Sequence, residues 1–273
     1  MPSSPTNTPA RTQTGQPAAF FDVDNTIIRG ASAFWLAQAM YTRGFFTIAD
    51  IIRFGWHQIA YMTFGENARR IAAVRQRALA IVAGRSVAEL TAIGEEVYDE
   101  VLAHRIFPGT KKLLDRHLAA GHQVWLITAT PTEVGELIAR RLGATGVLAT
   151  VAEQKNGFYT GHLIGDMMHG DVKAAAVRDL ANRENLDLDA SFAYGDSIND
   201  VHLLDIVGNP APINPDPRLR LHARNVGWPV RDFRKRRPAA RKSLHAAYGA
   251  GALWAFMVAN RAVRRWLSGK FGR

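Results

Sequence analysis

Five apolar runs, Ala18–Val23, Gln123–Thr128, Val147–Thr150, Ser191–Tyr194 and Pro210–Asn214, recur along the chain and mostly alternate with stretches of helical periodicity. Those stretches are Gly109–Ala120, Thr132–Leu142, Val172–Glu184 and Pro217–Arg224, each bounded by Gly, Pro, Asn or Asp. A strand reached through a helix runs parallel to its predecessor, so the alternation predicts an α/β fold with a parallel sheet flanked by helices. Ligands of such sheets collect beyond the carboxyl ends of the strands. Asp22 and Asp24, Thr128, and Asp196 stand just past the last apolar residues of three runs, so one crevice is expected to gather them.

Roughly ninety residues separate the first run from the second, far more than an ordinary crossover, and they predict an inserted domain. Residues 31–105 read as helical almost throughout, a cap over a core made of 18–30 and 106–230. Lys155-Asn156-Gly157-Phe158 places an Asn-Gly pair between extended segments, the signature of a tight β-hairpin. Residues 1–17, rich in Ser, Thr, Pro and Gln, read as a disordered tail without the apolar core of a secretory signal, which favours a cytoplasmic protein.

Composition narrows the chemistry. There is no cysteine, which excludes disulfides, thiolate nucleophiles and Cys-bound zinc, and the nine histidines form no HExxH pattern. What remains are two acidic motifs, Asp22-Val23-Asp24-Asn25-Thr26 and Gly195-Asp196-Ser197-Ile198-Asn199-Asp200. Phosphate monoesters hydrolyse so slowly that accelerations up to about 10²¹ are needed, whereas one general acid supplies ~10²–10⁴. A carboxylate nucleophile divides the reaction through an acyl phosphate, and a second carboxylic acid protonates the departing alcohol. Asp22 and Asp24 have the spacing for these roles, with Asp24 expected already in the turn that Asn25-Thr26 makes plausible. Converging carboxylates and a dianionic ester repel one another, which calls for a cation. Mg²⁺, which takes one or two carboxylates with waters and substrate oxygen, suits Asp22 and Asp196 with Asp200 nearby. Thr128 and Lys173 are candidates to complete a phosphate cradle.

These motifs, in this order, resemble the haloacid dehalogenase superfamily, in the subfamily IB that contains phosphoserine phosphatase, and the resemblance covers about residues 18–230. It rests on Asp22-Val23-Asp24-Asn25-Thr26, Leu126-Ile127-Thr128, Gly170-Asp171-Val172-Lys173 and Gly195 to Asp200. It implies a Rossmann-like core with a helical cap of the type inserted after the first motif, and a Mg²⁺-dependent phosphomonoesterase. Asp22 is then the nucleophile and Asp24 the acid/base. Thr128, Lys173 and Asn199 bind phosphate, and Asp22, the Asp24 carbonyl, Asp196 and Asp200 hold or support the metal.

Departures from the phosphoserine pattern bear on substrate. Residues 27–49 contain no acid to hold an ammonium group, and the second-motif turn, Thr128-Ala129-Thr130-Pro131, has no glycine. The cap carries Phe34, Trp35, Tyr41, Phe45, Phe46, Phe54, Trp56, Tyr61 and Phe64. The expected substrate is therefore a small or lipid-linked phosphomonoester, with phosphoserine as the alternative. From 231 onward twelve Arg and Lys face Asp232 alone, so the net charge of +10 belongs to a basic, amphipathic C-terminal extension, 231–273. Within it Ala246–Ala259 is charge-free and contains Trp254 and Phe256, which suits either an anionic membrane surface, reached from the cytoplasmic side, or a helix docked on the protein itself, and both better than nucleic acid. A reading from another class is a membrane-recruited binding or regulatory protein with a vestigial phosphatase site.

Overall fold

The computed structural model describes residues 15–45 and 82–234. Five strands form one parallel sheet in the order β3-β2-β1-β6-β7: β1 Ala18–Asp22, β2 Gln123–Pro131, β3 Gly146–Thr150, β6 Phe192–Tyr194 and β7 Asn209–Pro210. Strand β1 lies at the centre, paired with β2 on one side and β6 on the other, and all five of its residues are buried. Its side chains alternate between faces. Phe20 enters a core with Val177, Leu180, Leu203 and Leu204, while Phe21 stacks on Tyr194 at 4.5 Å and meets His117 edge-on. Burying a phenylalanine this completely contributes about 2 to 3 kcal/mol, so the strand that ends in Asp22 is anchored from both faces.

The crossover helices are α3 Pro108–Ala119, α4 Thr132–Leu142 and α5 Asp171–Glu184; α6 Val201–Leu204 and α7 Pro217–Val226 follow β6 and β7. The bounds of α3, α4, α5 and α7 agree with the periodicity to within two residues. Strands β4 Ala152–Lys155 and β5 Phe158–Leu163 form the expected antiparallel hairpin, with Asn156 and Gly157 both at positive φ, as a mirror-image two-residue turn requires.

Helices α1 Ser32–Thr42 and α2 Val87–Val97, the latter continuing in tighter and wider turns to Arg105, are additional helical segments consistent with a cap insertion. The chain leaves and re-enters the core side by side, because Phe107 N–H donates to the Ile27 carbonyl and Arg29 N–H to the Arg105 carbonyl. Arg105 lies 3.9 Å from the Trp35 ring centroid, and Arg85 covers the buried Phe45 ring. The other expected cap aromatics, Phe46, Phe54, Trp56, Tyr61 and Phe64, fall outside the described residues, as does most of the basic extension.

Three boundaries differ from the sequence reading. The end of the supposed tail joins the core, where Gln16 N–H donates to the Asn185 carbonyl and its own carbonyl accepts from Asp187 N–H. Strand β7 itself spans only Asn209–Pro210 rather than Pro210–Asn214, although the segment stays beside β6, with Ala211 N–H donating to the Ala193 carbonyl and Ile213 N–H to the Gly195 carbonyl. On its other side Ile213 pairs with Arg231, so the first residues of the supposed extension lie along the core.

The α3 face of the sheet also holds a histidine that does not charge easily. His117 is buried, its Nε2 is 2.8 Å from the Tyr194 hydroxyl and its Nδ1 is 3.0 Å from His122 Nδ1. Burial first, then His122 and Arg231, push it down to about 4 from 6.5. The unfolded chain takes up this proton near 6.5 and the folded chain only near 4, so the stability involved is present above 6.5 and is lost as pH falls from 6.5 to 4. At most about 3 kcal/mol is at stake. Denaturant unfolding of the native protein and of His117→Gln at neutral and acid pH should show a steeper acid loss in the native protein. Equal slopes would contradict this.

Candidate active site

Asp22 is the last residue of β1, opposite Ile127 of β2, and the preceding Phe21 is opposite Tyr194 of β6. This register brings Asp22 at the end of β1, Thr128 toward the end of β2 and Gly195-Asp196 just past β6 to one edge of the sheet where strand order reverses. One carboxylate oxygen each from Asp22, Asp196 and Asp200 lies within 4.8 Å of the others. Lys173, in the first turn of α5, reaches this cluster with Nζ 2.5 Å from Asp22 Oδ1 and 2.7 Å from Asp200 Oδ1. Asp22, Asp200 and Lys173 are only 6, 2 and 5 % exposed.

Asp200 arrives through a turn. Ser197 Oγ accepts from Asn199 N–H, and Asp200 Oδ2 accepts from Ser197 N–H. Gly195 is obligatory in this arrangement, since a Cβ there would stand 2.7 Å from the Asp200 side chain. Asp216, the cap of α7, accepts from Ile198 and Leu219 N–H and gives its own N–H to the Asp196 carbonyl, fixing the loop from behind.

The electrostatics follow from burial. Asp22 is pushed up to about 7, first by burial and also by Asp200 and Asp24, against the pull of Lys173. Asp196 is pushed up to about 8 by burial and then by Asp22 and Asp200. Burial opposes the charge on Lys173, yet Asp22 and Asp200 together raise its pKa, so it remains an ammonium. One ammonium among three carboxylates leaves excess negative charge in a confined site. An ion that takes carboxylate oxygens and keeps other positions for water and substrate relieves that excess, and Mg²⁺ is such an ion. Asp22, Asp196 and Asp200 fit it.

Asp24 lies beyond the strand in a turn built on Asn25, whose φ is +58°. Ile27 and Ile28 N–H both donate to the Val23 carbonyl, and Gly30 N–H to Asn25 Oδ1. Asp24 Oδ1 accepts from Ser32 N–H at 2.8 Å and from Ser32 Oγ at 2.6 Å, leaving Oδ2 the freer oxygen. Burial raises the Asp24 pKa, while Ser32 and the Lys173 charge pull it back. Asp24 is thus placed by the turn and by Ser32, beyond the strand that ends at Asp22.

The other expected residues take different positions. Thr128 is buried beside the site, with its hydroxyl 3.0 Å from that of Thr130. Asn199 is exposed and donates from Nδ2 to Ser197 Oγ. Sequence reasoning missed Ser32, Asp216 and Asn214. Only Asp216 had a signal, an Asp-Pro pair at the start of a helix.

A family profile described as haloacid dehalogenase-like hydrolase matches residues 19–205. Phosphoserine phosphatase SerB1 of Mycobacterium tuberculosis is 52 % identical over 236 residues, covering 86 % of this chain and 77 % of that protein. A histidinol-phosphatase of Neisseria meningitidis is 30 % identical over 220 residues, 79 % of this chain and 98 % of the relative. Among solved structures, a Bordetella pertussis protein of unknown function superposes with a TM-score of 0.71 at 30 % identity, over 81 % of this chain and all of that one.

Proposed function

The chain belongs to the haloacid dehalogenase-like hydrolases, and on that premise we propose that it hydrolyses small phosphomonoesters of amino alcohols, phosphoserine first among them, through an aspartyl phosphate at Asp22. Hydrolase chemistry is common ground for the family match and the relatives, and both relatives are named phosphatases. The finer reading is supported above all by Asp22, a buried carboxylate at the centre of the sheet, held by Lys173 within a carboxylate cluster.

In the proposed reaction an Asp22 oxygen attacks phosphorus as the bond to the ester oxygen breaks, and the departing alkoxide takes its proton from Asp24. Asp24, now ionised, removes a proton from water, whose oxygen attacks the same phosphorus. The Asp22 carboxylate leaves and inorganic phosphate is released. Lys173 keeps Asp22 ionised and faces the phosphoryl oxygens, with Thr128 and Asn199 as further phosphate contacts. Bound Mg²⁺, held by Asp22, Asp196 and the Asp24 carbonyl with Asp200 in support, would supply positive charge to phosphoryl oxygens and nucleophile alike.

Two relatives are named for phosphate esters of amino alcohols, phosphoserine and histidinol phosphate. That weighs more than the acid-free stretch 27–49 and the basic tail, which favour a lipid-linked ester. With phosphoserine, histidinol phosphate, glycerol phosphate and lysophosphatidate compared in Mg²⁺, phosphoserine is expected to exceed lysophosphatidate in kcat/KM by about 10-fold or more. A preference for lysophosphatidate would overturn the assignment. No helix among the described residues is long and apolar enough to cross a membrane. A cytoplasmic site of action, with the charge of 231–273 bringing the enzyme to anionic lipid, remains part of the proposal. The same panel repeated over anionic vesicles reads it, and an enzyme that neither pellets with them nor changes rate would remove it.

A further inference from the structure

Residues 228–234 lie past the end of the family match at 205 and form a strap along the core. Arg231 N–H donates to the Pro212 carbonyl, and Asn214 N–H to the Arg231 carbonyl. The Phe233 ring rests on Gly109 at the start of α3 so closely that a Cβ there would stand 2.2 Å from it. Asp232 closes the strap by accepting from Arg220 at 2.9 Å and from Arg234 at 2.6 and 3.0 Å.

One buried side chain connects this strap to the catalytic turn. Asn214 is 4 % exposed and its φ is +50°. Its Oδ1 accepts from Phe233 N–H at 2.7 Å, and its Nδ2 donates to the Asn25 carbonyl at 3.2 Å. A backbone N–H can only donate and a carbonyl can only accept, so the two contacts set the amide one way round. Turned over, it would face N–H with NH₂ and oxygen with oxygen. Asn25 directly follows Asp24 and holds the left-handed conformation on which the turn depends.

We propose that Asn214 is a positioning residue for phosphoester cleavage, oriented by the strap and fixing, through the Asn25 carbonyl, the turn that aims Asp24 at the leaving oxygen. This rests on the reading of Asp24 as the general acid. The amide touches no reacting atom; it limits where the acid can stand. The strap, which seemed to begin a solvent-facing basic extension, is then a working part of the hydrolase core.

A misaimed acid hurts only substrates whose leaving group needs a proton. The full-length enzyme, Asn214→Ala and Asp24→Asn are compared by kcat/KM on phosphoserine, which releases an alkoxide, and on p-nitrophenyl phosphate, which releases a stable phenolate. Asn214→Ala is expected to lose about 30-fold on phosphoserine and no more than about 3-fold on the aryl ester, a part of the ~10²–10⁴ a general acid supplies. Asn214→Asp, which keeps the acceptor for Phe233 but sets a second acceptor against the Asn25 carbonyl, should show the same selectivity and serves if the alanine variant does not fold. Equal losses on both esters, or none, would overturn the proposal. If Asp24→Asn separates the two esters and the Asn214 variants do not, the positioning role falls alone. If Asp24→Asn does not separate them, the acid assignment falls and takes the positioning role with it.

Discussion

Asp22→Asn is expected to lower turnover by at least about 10⁴-fold while leaving the protein folded. The amide keeps the shape of the carboxylate but cannot form the acyl phosphate. Folding should not suffer, because burial and the neighbouring carboxylates already push the native Asp22 up to about 7, so its ionised form is a cost to the folded state. A carboxyl raised in this way weakens folding as pH rises from its ordinary value toward 7. The thermal midpoint of the variant in chelator should therefore be no lower than that of the native protein in neutral buffer. Turnover within 10-fold of native, at about the same midpoint, would remove Asp22 as nucleophile.

Lys173→Met should damage both activity and stability. The ammonium bridges Asp22 and Asp200 where neither meets solvent, so its removal leaves carboxylates crowded without their cation. Breaking a buried pair from one side costs about 3 to 5 kcal/mol, and losing a fixed charge at the phosphoryl oxygens costs about 10³ in turnover. Urea unfolding in mildly alkaline chelator measures the first, and Mg²⁺ should restore part of it, since an ion that binds only the folded state stabilises that state. Unchanged stability in chelator would mean that Lys173 is not what holds the carboxylates together.

Much of this site was legible in the sequence, for reasons that particular residues make plain. Asp22, Thr128 and Asp196 follow apolar runs, and in a parallel sheet the end of a run is a position in space as well as in sequence. Lys173 opens a helix on the next crossover, so its reach to Asp22 depended only on which helix covers which strand. Contacts made by neutral groups between distant segments were not legible. Ser32 holds Asp24 with a hydroxyl and an N–H at a helix start that no charge pattern marks. Asn214 meets Asn25 across 189 positions. The strap was hidden by composition, since Arg231 and Arg234 read as the start of a solvent-facing basic run although Asp232 and Phe233 between them bind it to the core. The apolar run Pro210–Asn214 marked the right neighbour, since Ala211 and Ile213 N–H donate to carbonyls of the β6 segment, though the strand itself spans only Asn209–Pro210.

The central claim is that phosphorus passes through the Asp22 carboxylate. Native enzyme mixed with phosphoserine and Mg²⁺, quenched in acid during turnover and reduced with borohydride, should carry homoserine at position 22 and at no other aspartate, and Asp22→Asn should carry none. Homoserine at Asp196 or Asp200, or an unreduced chain recovered during active turnover, would contradict the account.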